Sequence, residues 1–288
     1  MAAIAHPIDS ITLPGGRQIE LQGRGTTFVR ELPGPPAAPV LMLLHGWTAT
    51  SDLNWFTAYE ELGSRYRVVA MDHRGHGRGI RTSKPLTLTD CADDVAALCS
   101  ALGVQRVIPV GYSMGGAVAQ LLWHRHPELV AGLVLCSTAA NFNTTPRERA
   151  MFSALRGLAT ISRLAPPQLR AMTALRIMTG RSDRYVRQWA YGEVAPHDWL
   201  AVMQAGREIG RFDSRRWIGD LHVPAAVLVT ITDEIVPLSR QLALVARLPD
   251  ATLHEVEGGH ATCINDPVRF VPALLQACES VTARLRPR

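Results

Sequence analysis

Lysine is almost missing from this chain. Of its 30 basic residues 29 are Arg, and Lys84 is the sole exception. A GC-rich genome produces such a bias, so it carries no functional meaning by itself. No stretch approaches the roughly 18 consecutive apolar residues of a spanning helix. The five Cys are odd in number and stand in no C-x-x-C spacing, which argues against a disulfide scaffold or a zinc ribbon. With 23 Gly and 19 Pro, collagen-like and low-complexity chains are excluded. Only 19% of residues are charged while 47% are hydrophobic, so disorder is not the main state. Residues Met1 to Asp9 lack a basic segment followed by an apolar one, the mark of a secretory signal. The expectation is a soluble cytoplasmic protein, monomeric or a homodimer. Its 288 residues suffice for one large domain plus an insertion.

What is present is an alternation. Val40–Leu44, Arg67–Met71, Val107–Val110, Gly132–Cys136, Ala225–Thr230 and Thr252–Val256 are short apolar runs, the pattern of strands covered on both faces. Helical stretches lie between them. One runs from a cap at Thr89 or Asp90 to about Leu102, one runs from Met114 to before Pro127, and others follow Pro237 and Pro267. Strand and helix in turn predict a mostly parallel sheet with helices on both faces. At the N-terminus, Ile8, Ile11 and Leu13 lead into the turn signal Pro14-Gly15-Gly16, and Ile19 and Leu21 follow. This predicts a hairpin, with a further strand over about Thr26 to Glu31.

Residues 141–220 break the alternation. They hold helical patterns (Met151, Phe152, Leu155, Leu158; Leu169, Met172, Leu175; Trp199, Leu200, Met203, Ile209) and no convincing strand. That is too much chain for a simple connection, and it predicts an inserted helical cap. The core is then 1–140 with 221–288. The interval also carries 13 Arg against 7 acidic residues. A solvated Arg-rich face is the preferred reading. Attraction of carboxylate- or phosphate-bearing substrates and contact with an anionic membrane surface are the alternatives. No nucleic-acid-binding pattern accompanies the charge. Four Met (151, 172, 178, 203) and Trp189, Trp199 and Trp217 suit either an adaptable apolar pocket or packing of the cap onto the core, the latter being preferred.

The sharpest local feature is Gly111-Tyr112-Ser113-Met114-Gly115, between an apolar strand and a helix. A tight turn there projects the serine hydroxyl above the sheet edge. Serine needs a base and the base an orienting acid. His260 in Gly258-Gly259-His260, just beyond the last strand, is the best of the ten His. Asp233, after Ala225–Thr230, is the best acid, with Glu234 as the runner-up. His45-Gly46-Trp47 directly after a strand offers the Trp47 N–H as an oxyanion donor, and the Met114 N–H at a helix start offers a second. Trp47 and Tyr112 are also candidates to contact substrate.

Together with Asp72-His73-Arg74-Gly75-His76-Gly77 and Val236-Pro237, these pieces make the chain resemble the α/β-hydrolase superfamily over about residues 15–140 and 220–280. The resemblance implies the α/β-hydrolase fold, with a mostly parallel eight-stranded sheet flanked by helices and carrying an inserted cap. It also implies an esterase-like activity with Ser113, His260 and Asp233 as triad, acting on a small-molecule ester with no metal or organic cofactor. An enol-lactonase, a C–C bond hydrolase, an acyltransferase or a receptor with little turnover share the scaffold. Many relatives carry Ser soon after the last Gly of the 72–77 loop, where this chain reads Arg78. Because His260 must be neutral to act as base, activity is expected to rise with pH through roughly 6 to 7.5.

Overall fold

The computed structural model describes residues 11–285, except 147, 151, 153 and 155–183. The expectations placed on Ile8, Met151, Leu155, Leu158, Leu169, Met172, Leu175 and Met178 lie outside the described residues.

Eight strands form one sheet. They are β1 (Gly16–Leu21), β2 (Gly25–Leu32), β3 (Val40–Leu44), β4 (Arg67–Met71), β5 (Ile108–Tyr112), β6 (Leu133–Cys136), β7 (Ala225–Thr230) and β8 (Ala251–Val256). Their spatial order is β1-β2-β4-β3-β5-β6-β7-β8. Strand β2 pairs antiparallel with both its neighbours, and the pairs from β4 to β8 are all parallel. Parallel strands buried on both faces read as unbroken apolar runs. Leu41 and Leu43 pack into one side layer while Met42 and Leu44 pack into the other, all fully buried. Each such side chain contributes roughly 1.5–3 kcal/mol on burial.

Among the described residues, the helices around the sheet include α1 (Ser51–Trp55), α2 (Tyr59–Gly63), α3 (Leu88–Ala101), α4 (Met114–Arg125), α5 (Arg184–Val194), α6 (Trp199–Ile209), α7 (Leu238–Val245) and, after β8, α8 (Thr262–Asn265) and α9 (Pro267–Thr282). Helix α3 starts earlier than the sequence predicts. Thr87, in extended backbone, accepts the Asp90 N–H at 3.0 Å, so Thr87 rather than Thr89 or Asp90 is the cap. The hairpin is also displaced. Residues 11–15 form no strand. The hairpin joins β1 to β2 through residues 22–24, with Arg24 N–H bonded to Leu21 C=O at 2.9 Å and Gly23 at φ 71°. Pro14 instead offers its carbonyl to Arg30.

Between β6 and β7, the one β feature among the described residues is an isolated bridge, Asn141 to Asp213. Helix α5 buries Val186, Ala190 and Val194, and α6 buries Trp199, Val202, Ala205 and Ile209. These spacings put one apolar stripe of each helix on the core. Asp198 caps α6 by accepting the Leu200 and Ala201 N–H groups. The three tryptophans of this interval pack against neighbours. Trp189 meets Phe56 at 5.0 Å, Trp199 meets His197 at 5.3 Å, and Trp217 stacks on His124 at 4.3 Å. Among its described arginines, Arg207 and Arg211 pair with Glu208, and Arg215 pairs with Asp213. No helix among the described residues is long and apolar enough to cross a membrane.

Candidate active site

The C-terminal ends of the parallel strands all face one edge of the sheet, where α/β folds gather their functional loops. Ser113 follows β5 there and begins α4. Its backbone sits at φ 52°, ψ −114°, a conformation that costs a non-glycine residue about 1–3 kcal/mol. The turn is held from three sides. Ser113 N–H donates to Cys136 C=O at 2.9 Å, and its own carbonyl accepts the Gly116 N–H at 2.9 Å and the Thr138 hydroxyl at 2.7 Å. The flanking glycines are sterically required. A Cβ at Gly111 would come 2.3 Å from the Gly115 carbonyl oxygen, and one at Gly115 would come 2.1 Å from that of Leu44.

Beyond β8, His260 turns back towards this serine. Its Nε2 lies 2.9 Å from Ser113 Oγ, and its Nδ1 lies 2.8 Å from Asp233 Oδ2. Asp233, on the loop after β7, is buried and also accepts the Thr230 hydroxyl at 2.7 Å and the N–H groups of Ile235 and Val236 at 2.8 Å each. Burial pushes its carboxyl up. The bond and charge of His260 and the donors Thr230 and Val236 outweigh that and hold it below the usual carboxylate range. Glu234 is exposed, and Asp233 is the acid that meets His260.

Tyr112 precedes the serine. Its side chain is 3% exposed and packs edge-on to Trp55 and Phe270. Its hydroxyl donates to the His260 carbonyl at 2.8 Å. Tyr112 thus packs into the core, and its hydroxyl supports the histidine loop.

The loop after β3 approaches the serine from the other side. A Cβ at Gly46 would lie 3.5 Å from Ser113 Cβ, and Gly46 N–H is held by the Asn54 side chain at 2.9 Å. Trp47 is partly buried, and its indole N–H donates to the Val202 carbonyl of α6 at 2.7 Å. Met114 opens α4, so its amide lies at the positive end of a 12-residue helix.

Two clusters escaped the reading of the sequence. Arg78 reaches Asp52 Oδ2 at 2.6 Å, Asp72 Oδ2 at 3.3 Å and Glu193 Oε2 of α5 at 3.4 Å, with its guanidinium 3.6 Å above the Phe28 ring. Arg30 shares Asp52. Arg78 is thus a cation that joins three carboxylates and ties α5 to the core. The second cluster is His45, His73, His76 and His197, all buried, with ring centroids 4.5 to 5.4 Å apart. Burial holds His73 and His76 well below the ordinary imidazole range and His197 at about 4. Partners this distant in sequence leave no local signature. No group of three or more His, Cys, Asp or Glu among the described residues could hold a metal ion. A cavity of about 640 Å³ opens at the opposite edge of the sheet, lined by Arg106, Glu128, His222, Asp250 and Arg284 among others, far from this chemistry.

Comparison with known proteins agrees with this architecture. A family model described as alpha/beta hydrolase fold matches residues 39–267. A pimeloyl-acyl-carrier-protein methyl ester esterase of Chromobacterium violaceum is 30% identical over 247 residues, covering 84% of this chain and 95% of that protein. A Caulobacter sp. protein that carries the name carbamate hydrolase RutD provisionally is 29% identical over 250 residues, covering 84% and 91%. Among solved structures, a thermophilic esterase from Thermogutta terrifontis superposes with a TM-score of 0.78 at 25% identity, covering 93% of this chain and 99% of that one.

Proposed function

The chain belongs to the alpha/beta hydrolase fold family and is a hydrolase; from that premise and the site we propose that it cleaves carboxylic esters by nucleophilic catalysis at Ser113. One observation carries the reading: the unbroken hydrogen-bond series from Ser113 Oγ through His260 to Asp233 Oδ2 at the C-terminal edge of the sheet.

On this reading Ser113 Oγ attacks the ester carbonyl while His260 Nε2 takes its proton. Asp233 keeps the imidazole in the tautomer with hydrogen on Nδ1 and stabilises its charged form. The Trp47 and Met114 amides donate to the tetrahedral oxyanion, the helix dipole adding to the second. His260 returns the proton to the leaving alcohol, then draws one from water, which releases the acyl group from Ser113. Each step uses protein groups and water alone. Within the interval 141–220, the described helices α5 and α6 act as part of a cap over the site. Support comes from the two ties already described, Trp47 to Val202 and Arg78 to Glu193, which join α6 and α5 to the site's loops. Trp47 and Met203, partly buried between the two core layers, offer apolar surface suited to small or medium acyl groups.

The test compares wild type with Ser113→Ala on p-nitrophenyl esters from acetyl to palmitoyl, with a fluorophosphonate label on the serine. Turnover by wild type and a loss of about 10³-fold or more in the variant is expected. Labelling of Ser113 without hydrolysis of any ester would sink the substrate class and leave the nucleophile standing. Neither labelling nor hydrolysis would sink both.

A further inference from the structure

The turn that carries Trp47 is strained. Ala49 N–H closes it on Gly46 C=O at 3.3 Å, and Thr48 inside it stands at φ 63°. A β-branched residue disfavours that region strongly, and such a conformation persists only where its surroundings hold it. Two of the restraints come from one short segment outside the sheet. The Trp47 indole bonds Val202 C=O at 2.7 Å. His197, 6% exposed, bonds Thr48 C=O through Nε2 at 2.9 Å.

The second nitrogen of His197 is also engaged. Nδ1 accepts the Gly77 N–H at 2.8 Å, so the ring proton must sit on Nε2, where it donates to Thr48. One neutral imidazole therefore spans two loops, the one after β3 and the one after β4. Its own backbone is fixed to the second of these, because Asp198 N–H donates to Gly75 C=O at 2.9 Å. A group that accepts on one side and donates on the other, at a rigid spacing, is what this bridge requires. Neutral histidine supplies it.

We propose that His197 is a positioning residue for ester hydrolysis: by bridging Gly77 N–H and Thr48 C=O it sets the plane of the Trp47–Thr48 turn, and so aims the Trp47 N–H at the developing oxyanion. This rests on the reading of Ser113 as nucleophile and Trp47 N–H as oxyanion donor. An oxyanion donor contributes only when its direction is right, so loss of the bridge appears in the transition state and leaves substrate binding almost untouched.

The experiment uses the full chain and the p-nitrophenyl ester that wild type turns over best. His197→Phe keeps a ring between His76 and Trp199 but makes neither bond. His197→Gln keeps one acceptor and one donor on a single side chain. The Phe variant is expected to lose about 10-fold or more in kcat with KM within about threefold. It should weaken inhibition by a trifluoromethyl ketone, whose serine adduct places an oxyanion in the same spot, by the same factor as kcat/KM. The Gln variant should recover part of both. Should the Phe variant fail to fold, His197→Asn, too short to span both partners, must show the same kcat loss. Wild-type kcat in a folded Phe or Asn variant overturns the proposal. So does a kcat loss without weaker ketone inhibition, or a Gln variant no better than the Phe variant. Ser113→Ala runs in parallel. Full turnover there overturns the underlying reading, whereas its loss beside wild-type His197 variants overturns this proposal alone.

Discussion

Asp233 meets His260 through a single oxygen. Oδ2 takes the imidazole at 2.8 Å while Oδ1 is occupied by the N–H groups of Ile235 and Val236. The backbone thus aims the carboxylate, and its direction owes little to the histidine. Asp233→Asn should keep this anchoring, yet it presents an amide to Nδ1 and favours the wrong tautomer. A fall in kcat of about 10³- to 10⁴-fold with an unchanged melting temperature is expected. Exposed Glu234→Gln should stay within about twofold of wild type. Steady-state kinetics on the two variants side by side check both, and a large loss in the Glu234 variant would reverse the assignment.

Acid should destabilise the fold through the buried histidines. His73 and His76 lie well below the ordinary imidazole range and His197 at about 4. The unfolded chain takes up these protons near pH 6.5 and the folded chain does so only at lower pH. Stability is therefore fully present above about pH 6.5 and is lost as pH falls from there towards 4. Neither ring nitrogen of His73 has a hydrogen-bond partner among the described residues. His73→Leu should then flatten the decline, read as melting temperature at pH 7.5, 6 and 5. An unchanged slope would place the acid sensitivity elsewhere.

Removing Arg78 should cost more than one ion pair. Asp52 and Asp72 are fully buried, and Arg78 serves both while reaching Glu193. Arg78→Ser leaves Arg30 as the one guanidinium on Asp52. The expected loss is on the order of 3 kcal/mol in urea unfolding, since an uncompensated buried charge is the dominant penalty. A loss below about 0.5 kcal/mol would make the cluster a surface-like pairing.

Gly115→Ala tests the geometry of the serine turn. The added methyl would meet the Leu44 carbonyl at 2.1 Å, and backbone on both sides leaves it nowhere to go. Strand β3 or the start of α4 has to shift. A destabilisation of about 1–3 kcal/mol is expected, with loss of ester turnover well beyond what the lower stability explains. Full activity in this variant would mean that the turn is not under the constraint described.

Much of this was readable from residue order because the parallel strands are buried on both faces. Val40–Leu44 and Ala225–Thr230 are apolar runs that begin after Pro39 and Pro224, and the apolar run of Arg67–Met71 lies between Arg67 and Asp72, so their limits match the structure. A parallel strand's C-terminal end determines its edge of the sheet, which is why Ser113, Asp233 and His260 could be expected to meet. Pro14-Gly15-Gly16 and Gln22-Gly23-Arg24 both carry turn residues, and the structure turns at the second, where Gly23 takes φ 71° between the paired β1 and β2. Nothing in the local sequence around Tyr112 foretells its hydroxyl bond to the His260 carbonyl, 148 residues away. Arg78, Glu193 and His197 find partners up to 149 residues away, and only the tertiary fold creates those meetings.

The bond from Tyr112 to the His260 carbonyl has a mechanical consequence. Tyr112 is the last residue of β5, and the next residue is Ser113. Ser113 and the His260 loop are therefore tied to the same strand end, one covalently and the other through a buried hydroxyl. A displacement of this strand end would move both partners of the 2.9 Å contact between Ser113 Oγ and His260 Nε2 in the same direction, a common anchorage that two separate walls would not provide.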